Sequence, residues 1–275
     1  MVNAIDTLSM MQFVLPVLFT LFIWWFSTGV ILYLDGLPQR TFKWTMAAFT
    51  IVLALALLGL SASSAVASEA AAYCAFTCGL LVWAWQEVAF LLGYVTGPRR
   101  TPCPPGATGW RRAHYAFQAV QHHELALVLL ALAVLAATWG GVNQTGLWTY
   151  LILWAMRQSA KLNVFLGVRN LNEGFLPDHL KYLQTYFARR PFNALFPVSV
   201  TLSTLLAVVL WQAALANGAD RYQWTSLSLC AGLLSLAVLE HWFLVLPLPF
   251  EALWNWGLRS RAVLPHESLD PKPLS

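Results

Sequence analysis

The chain has 275 residues, of which 59% are hydrophobic and only 10% are charged, and its mean hydropathy is +0.61. A soluble domain carries about 25% charged residues, so this composition excludes a soluble globular protein and predicts a protein whose surface faces lipid. The net charge of +4 comes without any long run of Lys or Arg, which argues against nucleic acid as a partner. The lipid bilayer is the first expected partner.

Seven apolar segments are long enough to span a bilayer, which takes about 20 residues of helix. Run length favours helices, because a membrane strand would alternate in polarity over about 10 residues. The segments are residues 12–34, 46–67, 71–95, 116–138, 147–168, 193–211 and 224–246. The sequence therefore predicts an all-α, polytopic membrane bundle of about seven transmembrane helices. Residues 1–250 are expected to form its single domain, and residues 251–275 a cytoplasmic C-terminal tail.

Lys and Arg are concentrated in alternate loops. The connections after the first, third and fifth segments and the stretch after the seventh contain nearly all of them, and the remaining loops carry only Arg221. Positively charged loops stay in the cytoplasm. This pattern predicts a multi-pass protein of the bacterial inner membrane with a periplasmic N-terminus and a cytoplasmic C-terminus.

Polar and ionisable residues interrupt four of the seven segments. Each charge inside a membrane helix costs about 2.5–3.5 kcal/mol on insertion scales, so each needs a partner or a function. Helical rise places most of them roughly 9–12 Å from the predicted cytoplasmic helix ends, with Arg157 deeper. We predict that they form one polar cluster in the cytoplasmic half of the bundle. Its members are Glu87, His122, His123, Glu124, Arg157, Lys161, Asn163, Glu240 and His241.

Three interpretations of this cluster are open at the level of sequence. The first is a network of ion pairs, in which the glutamates are balanced by Arg157 and Lys161 and the histidines stay neutral. The second is a metal site, since carboxylate and imidazole are ligands that iron, manganese and zinc accept. Its candidate ligands are Glu87, His123, Glu124, Glu240 and His241. Because neighbours on a helix point about 100° apart, only one member of each adjacent Glu/His pair is expected to face the centre.

The third interpretation is a pigment pocket. A neutral histidine can ligate the magnesium of a chlorin such as bacteriochlorophyll, and aromatic side chains on the same segments could stack on the ring. The candidate aromatic residues are Trp83, Trp85, Phe90, Phe117, Trp154, Trp242 and Phe243.

Several stretches of the sequence resemble one family. They are Trp83-Ala-Trp-Gln-Glu-Val-Ala-Phe-Leu-Leu-Gly, Thr96-Gly-Pro-Arg with Cys103-Pro, His123-Glu-Leu-Ala, Lys161-Leu-Asn-Val-Phe-Leu-Gly-Val-Arg-Asn and Phe175-Leu-Pro-Asp-His-Leu-Lys-Tyr-Leu. Together they resemble the PuhE family, also called photosynthetic complex assembly protein 2, of anoxygenic purple bacteria. The resemblance covers roughly residues 15–250 and is most specific over 161–183. The family often has His before the Glu of the third segment, whereas this chain has Gln86, which weakens a metal site built on that pair.

The resemblance implies a cytoplasmic-membrane protein that is encoded among photosynthesis genes and associated with reaction-centre and light-harvesting assembly and with bacteriochlorophyll levels. The expected partners are photosynthetic complex subunits or other assembly and pigment-biosynthesis proteins. The alternative is a metal-dependent membrane oxidase of tetrapyrrole or carotenoid metabolism, in which Lys161 or Arg157 would hold a substrate carboxylate. A transporter is less favoured, because repeated halves are not visible in the sequence.

Overall fold

The computed structural model describes residues 2–171, 173–216 and 218–262, and this part of the chain is helical between its loops. Most of the predicted C-terminal tail, residues 263–275, lies outside the described residues. The long helices are α1 Val2–Asp35, α2 Phe42–Ser64, α3 Glu69–Leu91, α4 Gly109–Ala137, α5 Thr145–Leu166, α6 Leu195–Ala214 and α7 Arg221–Phe243. A short α8 follows at Asn255–Ala262, and 3₁₀ helices form at Gln39–Thr41, Glu173–Phe175, Asp178–Tyr186 and Phe250–Trp254. The predicted all-α fold is confirmed.

Two helices begin at side-chain caps. The Ser68 hydroxyl accepts a hydrogen bond from the backbone N–H of Ala71 at the start of α3. The Asp220 carboxylate accepts one from Gln223 N at 2.8 Å at the start of α7. Such caps satisfy backbone donors that the first turn of a helix leaves free. They explain why α3 and α7 begin directly after these two polar residues.

Six helices in the described part of the chain are long and apolar enough to cross a membrane, namely α1 to α4, α6 and α7. The chain is therefore a multi-pass membrane protein. α5 is equally long, but Arg157, Gln158, Lys161 and Asn163 lower its hydropathy. The indoles of Trp110 and Trp139 project at the two ends of α4, with 91% and 78% of their surface exposed. α4 is about 43 Å long, which matches a bilayer with its headgroups, and exposed tryptophans favour both of its interfaces.

α3 is the central helix of the bundle and packs against α2, α5 and α7. Its buried residues extend over its whole length and on several sides. α3 and α5 approach closely where Gly79 meets Gly146, because a Cβ atom on Gly79 would lie 2.8 Å from the Gly146 carbonyl oxygen. Small residues at such a crossing bring the two backbones together. The close approach sets the side chains of α3 opposite those of α5.

The connections α1–α2, α3–α4 and α5–α6 and the segment after α7 share one end of the bundle, which we call the loop-rich face. Arg112 of α4 donates to the carbonyl oxygens of Phe165 at 2.7 Å and Tyr186 at 2.5 Å. The His179 ring lies 2.9 Å from the Leu91 carbonyl at the end of α3. Both contacts satisfy carbonyl groups that a helix C-terminus leaves free. The 178–186 helix therefore joins the ends of α3 and α4, and Arg112 connects both to the end of α5.

After α7 the chain turns back along α1. Trp25 Nε1 donates to Leu253 O and Trp254 Nε1 donates to Trp25 O, both at 2.9 Å. Further along, Arg261 forms an ion pair with the buried Asp35 at 2.7 Å. Trp25 lies about 15 Å along α1 from Asp35, which is at the loop-rich end. Residues 253 and 254, beside Trp25, are therefore inside the bundle, and the chain returns to the loop-rich face by Arg261. The described beginning of the predicted tail is thus part of the helical core.

Candidate functional site

An ion pair between α3 and α5 forms the deeper half of the polar cluster. Arg157 Nη2 lies 3.0 Å from Glu87 Oε2. The other carboxylate oxygen of Glu87 accepts a hydrogen bond from Gln86 Nε2 at 3.2 Å. Glu87 is only 8% exposed, so its charge is taken out of water and depends on these two donors.

A second ion pair joins α4 to α5, close to the first. Lys161 Nζ lies 2.6 Å from Glu124 Oε1, and Gln158 donates to the other oxygen of the same carboxylate. Arg157 and Lys161 are four residues apart on α5, so they share one helix face. The structure therefore brings Glu87, Glu124, Arg157 and Lys161 together.

Glu240 is the third glutamate of the predicted cluster and has a different environment. Its carboxylate accepts a hydrogen bond from Trp24 Nε1 of α1 at 2.6 Å. Neither Lys nor Arg forms an ion pair with it among the described residues. Its side chain is exposed at the edge of α7. Two of the three carboxylates are thus balanced by a cation, and the third is held by an indole.

His241 and Asn163 connect helices. The two ring nitrogens of His241 lie 2.9 Å from the Ala237 carbonyl oxygen and 2.9 Å from the Ser159 hydroxyl of α5. Asn163 is fully buried, and Asn193 Nδ2 donates to both its backbone and side-chain oxygens at 3.1 Å. In turn, Asn193 Oδ1 accepts from the first backbone N–H groups of α6. These contacts hold α7 and α6 against α5.

His123 is a buried residue of α4 whose imidazole faces α3. It is 1% exposed, and neither ring nitrogen has a hydrogen bond among the described residues. The Phe90 ring packs against it, with the two ring centroids 4.5 Å apart. Its neighbour His122, which points about 100° away from it on α4, is exposed. A buried imidazole without partners is uncommon, which makes His123 the unexplained polar group of the cluster.

A loop presses into α4 beside His123. The backbone N–H of His123 donates to Thr96 O at 2.9 Å, and the Gln118 carbonyl accepts from Arg99 N at 3.3 Å. These are helix-interior groups that ordinarily bond within the helix. A Cβ atom on Gly97 would collide with the Gln118 carbonyl, so only glycine allows the loop to approach this closely.

The geometry can be compared with each of the three interpretations of the cluster. The ion-pair network is supported by two ion pairs, Arg157–Glu87 and Lys161–Glu124. For a metal site, the described residues contain no group of three or more His, Cys, Asp or Glu that could hold a metal ion. Glu87, Glu124, Glu240 and His241 each contact a different side chain instead. For a pigment pocket, the accessible ligand among the histidines of the cluster is His122, which is exposed, because His123 and His241 are both buried.

The sequence analysis did not identify Trp24, Gln158 or Ser159 as partners of the cluster. Gln158 precedes Lys161 by three residues, a spacing that puts both on the side of α5 that faces Glu124, so it could have been found. Trp24 and Ser159 carry no comparable signal, because indoles and hydroxyls are common in membrane helices.

On the loop-rich face, His179 supports the end of the helix that carries Glu87. Burial lowers the pKa of His179, while its hydrogen bond to the Leu91 carbonyl opposes that shift. The neutral imidazole is therefore favoured at pH 7, with Nε2–H donating to Leu91 O. A neutral donor can satisfy this carbonyl without placing another charge beside the cluster.

The fold and the site define a polytopic helical membrane protein with a paired-charge cluster among α3, α4 and α5. Residues 10–264 match the family described as "Protein of unknown function (DUF3623)", and the chain belongs to that family. It is 38% identical over 250 residues to the "Uncharacterized 30.4 kDa protein in puhA 5'region" of Rhodobacter capsulatus, which covers 90% of this chain and 91% of the relative. No solved structure matches the chain.

Proposed function

We propose that the chain is an integral-membrane factor for assembly of the photosynthetic reaction centre and light-harvesting complexes, linked to bacteriochlorophyll supply. The observation that carries this proposal is the R. capsulatus relative, whose name places it in the 5' region of puhA, within a photosynthesis gene cluster. Genes grouped in this way commonly serve one process. The resemblance to the PuhE family, quoted above on residues 83–93 and 161–183, points in the same direction.

The site geometry supports a binding or assembly role over the alternative of a metal-dependent oxidase. Glu87 and Glu124 each use both carboxylate oxygens on donors from their own or a neighbouring helix. A redox metal would need several of these oxygens at one point. The cluster instead links α3, α4 and α5, as a scaffold for other membrane proteins or pigments requires.

The proposal includes a topology for the bacterial inner membrane. α5 would be the seventh span, since Arg157 and Lys161 are paired with glutamates of α3 and α4 and apolar side chains such as Leu162 and Leu166 face outward. The N-terminus would be periplasmic and the loop-rich face cytoplasmic, where proteins that make pigments and complex subunits are available. Reporter fusions at the two termini and at residue 141 test this topology, with a cytoplasmic signal expected only at the C-terminus.

The functional test is deletion of the gene in the phototroph that encodes it. Reaction-centre and light-harvesting complexes are measured from their near-infrared absorption in membranes, and pigments and their precursors by chromatography. We expect the complexes and bacteriochlorophyll to fall together, without accumulation of a single precursor. Complementation with the wild-type gene restores both, and an Arg189→Gln variant on the loop-rich face serves as a matched surface control.

Two other results would contradict the proposal. Accumulation of one tetrapyrrole or carotenoid intermediate would support the oxidase, and iron, manganese or zinc in the purified protein would then identify the cluster as its metal site. Unchanged complexes and pigments would remove the photosynthetic assignment altogether. A bacteriochlorophyll band in the purified protein, without a transition metal, would favour the pigment-linked form of the assembly role.

A further inference from the structure

α4 carries two polar side chains on its outer surface, near the middle of its length. Gln121 and His122 are both exposed, and neither has a hydrogen bond among the described residues. The buried residues of α4 lie on the side of His123, which faces Phe90 of α3. Positions two apart on a helix point about 160° away from each other. The amide of Gln121 therefore points away from the bundle, on the side of α4 that the rest of the described chain leaves uncovered.

This surface lies at the depth of the lipid tails. Gln121 is about 17 Å along the chain axis of α4 from Trp110 and about 27 Å from Trp139, and these are the exposed indoles at the two ends of α4. A hydrocarbon core about 30 Å thick, centred between the indoles, places the amide about 10 Å inside it. Lipid tails offer neither donors nor acceptors, so an amide without a hydrogen bond is unfavourable there.

The exposed faces of α2 and α6 do not raise the same demand. In the middle of α2 the exposed side chains are apolar, as Ile51 and Leu55 are. The exposed polar residues in the middle of α6 are Thr201 and Thr204, and a threonine hydroxyl can bond to a carbonyl group of its own helix. A glutamine amide has more donors and acceptors than its own helix can satisfy. The outer face of α4 thus requires a polar group from another molecule.

A second copy of the same chain supplies that group at the required depth. Two copies in one membrane have the same orientation, so a two-fold axis along the membrane normal places each residue opposite its own copy. An amide has an acceptor oxygen and two N–H donors, and two facing Gln121 side chains can therefore donate to each other. A helix of a different protein would need a polar residue at the same level.

Apolar residues continue the same face of α4 beyond Gln121. Leu125, Val128 and Leu132 follow it at spacings of four, three and four residues, and all three are exposed. Two parallel helices pack along residues with this alternating spacing, and a polar residue in such a seam fixes their register. The neighbouring Glu124 is already paired with Lys161, so no unpaired charge from this position opposes the contact.

We propose that the chain forms a two-fold dimer through the outer face of α4. The Gln121 side chains of the two copies hydrogen-bond to each other inside the bilayer, and Leu125, Val128 and Leu132 pack around the axis. The ion pairs of the polar cluster stay within each copy, because Gln121 points away from α3. This interface goes beyond the photosynthetic assignment and does not depend on it.

Dimerisation is measured with the full chain in phosphatidylcholine vesicles, by energy transfer between donor-labelled and acceptor-labelled copies over a range of protein-to-lipid ratios. We expect a saturating signal that fits a dimer. Gln121→Leu should weaken dimerisation about threefold to thirtyfold, the effect of losing a hydrogen bond between membrane helices. Gln121→Asn keeps an amide and should retain more of the association. The matched control Gln212→Leu removes an exposed amide near the end of α6 and should dimerise as the wild type does.

Cysteine cross-linking in intact membranes tests the same interface without purification. Leu125→Cys is placed in a chain that also carries Cys74→Ala, since Cys74 is the exposed native cysteine. Oxidation should convert this variant to a covalent dimer. Leu202→Cys on the exposed face of α6, in the same Cys74→Ala chain, should stay largely monomeric. Because Leu125→Cys retains Gln121, this test remains decisive if Gln121→Leu does not fold.

Three results would overturn the proposal. A wild-type chain that stays monomeric at every protein-to-lipid ratio would show that lipid or a different protein covers the outer face of α4. A dimer that Gln121→Leu leaves unchanged or strengthens would form through another surface. Equal cross-linking of Leu125→Cys and Leu202→Cys would show random collision rather than a defined interface.

Discussion

Two ion pairs of this chain have the same chemistry in opposite surroundings. Arg157 meets Glu87 between α5 and α3 at 3.0 Å, and the carboxylate is nearly buried. Arg189 meets Glu173 on the loop-rich face at 2.8 Å, with their side chains 67% and 42% exposed. The exposed pair is the shorter one, yet solvent screens it, and such pairs contribute about 0–1 kcal/mol. Burial, rather than distance, decides how much each pair matters.

The largest expected effect is that of breaking the buried pair from one side. Arg157→Ala removes the charged donor from the nearly buried Glu87, and because the Arg157 side chain is 42% exposed we expect a cost of about 1.5–3 kcal/mol, the range for a hydrogen bond to a charged group. The measurement is the unfolding midpoint of the purified protein in mild detergent, together with its folded yield. The double variant Glu87→Gln/Arg157→Gln should recover most of the loss, because it leaves no unpaired charge. Equal stability of Arg157→Ala and wild type would show that the pair contributes nothing.

An intermediate effect is expected where the bundle meets the loop-rich face. Asn193→Ala removes the amide that joins Asn163 and Gly167 of the α5 end to the first turn of α6. Buried partners left unsatisfied cost about 1–3 kcal/mol, so the same unfolding assay should show a loss in that range. Asn193→Asp keeps the oxygen that accepts from the first turn of α6 but removes the N–H group that donates to α5. Comparing it with Asn193→Ala therefore separates the contribution of the α6 cap from that of the α5 contacts. A loss no larger than that of a surface variant would contradict this role.

The smallest effect is expected for the exposed pair. Arg189→Gln should change the free energy of unfolding by less than about 1 kcal/mol, and raising the salt concentration should reduce that change further. The same salt series applied to Arg157→Ala should leave its defect in place, since buried charges are screened much less. Similar salt dependence in the two variants would erase the contrast between the regions.

The helices were largely predictable, because a bilayer requires long apolar helical runs and these runs are visible in the sequence. The start of α4 at Gly109, well before the predicted residue 116, was missed because its first turns carry Trp110, Arg111 and Arg112 and lie outside the apolar run. The re-entrant segment after α7 was missed for a related reason. Its apolar stretches are short, and it is held by contacts of Trp254 and Arg261 with α1 that no local pattern encodes.

For the polar cluster, composition and depth could be predicted, but pairing could not. Three glutamates and two cations at similar depth must leave one carboxylate without a cation, and in the structure this carboxylate is Glu240. Which carboxylate that is depends on how the helices are rotated about their axes, since neighbours on a helix point about 100° apart. The unpaired ring of His123 could not be predicted either, because its surroundings come from Phe90 of α3 and from the Thr96–Gly97 loop that presses into α4.

By itself the sequence determined that the chain is a helical membrane protein with charges at one depth, because the bilayer penalises exposed backbone and isolated charge wherever they occur. Only the tertiary structure decided which charges pair, which helix is central and that His123 is buried without a hydrogen-bond partner for its ring among the described residues. Those properties depend on close contacts such as the crossing of Gly79 and Gly146, and such contacts arise only when the helices pack.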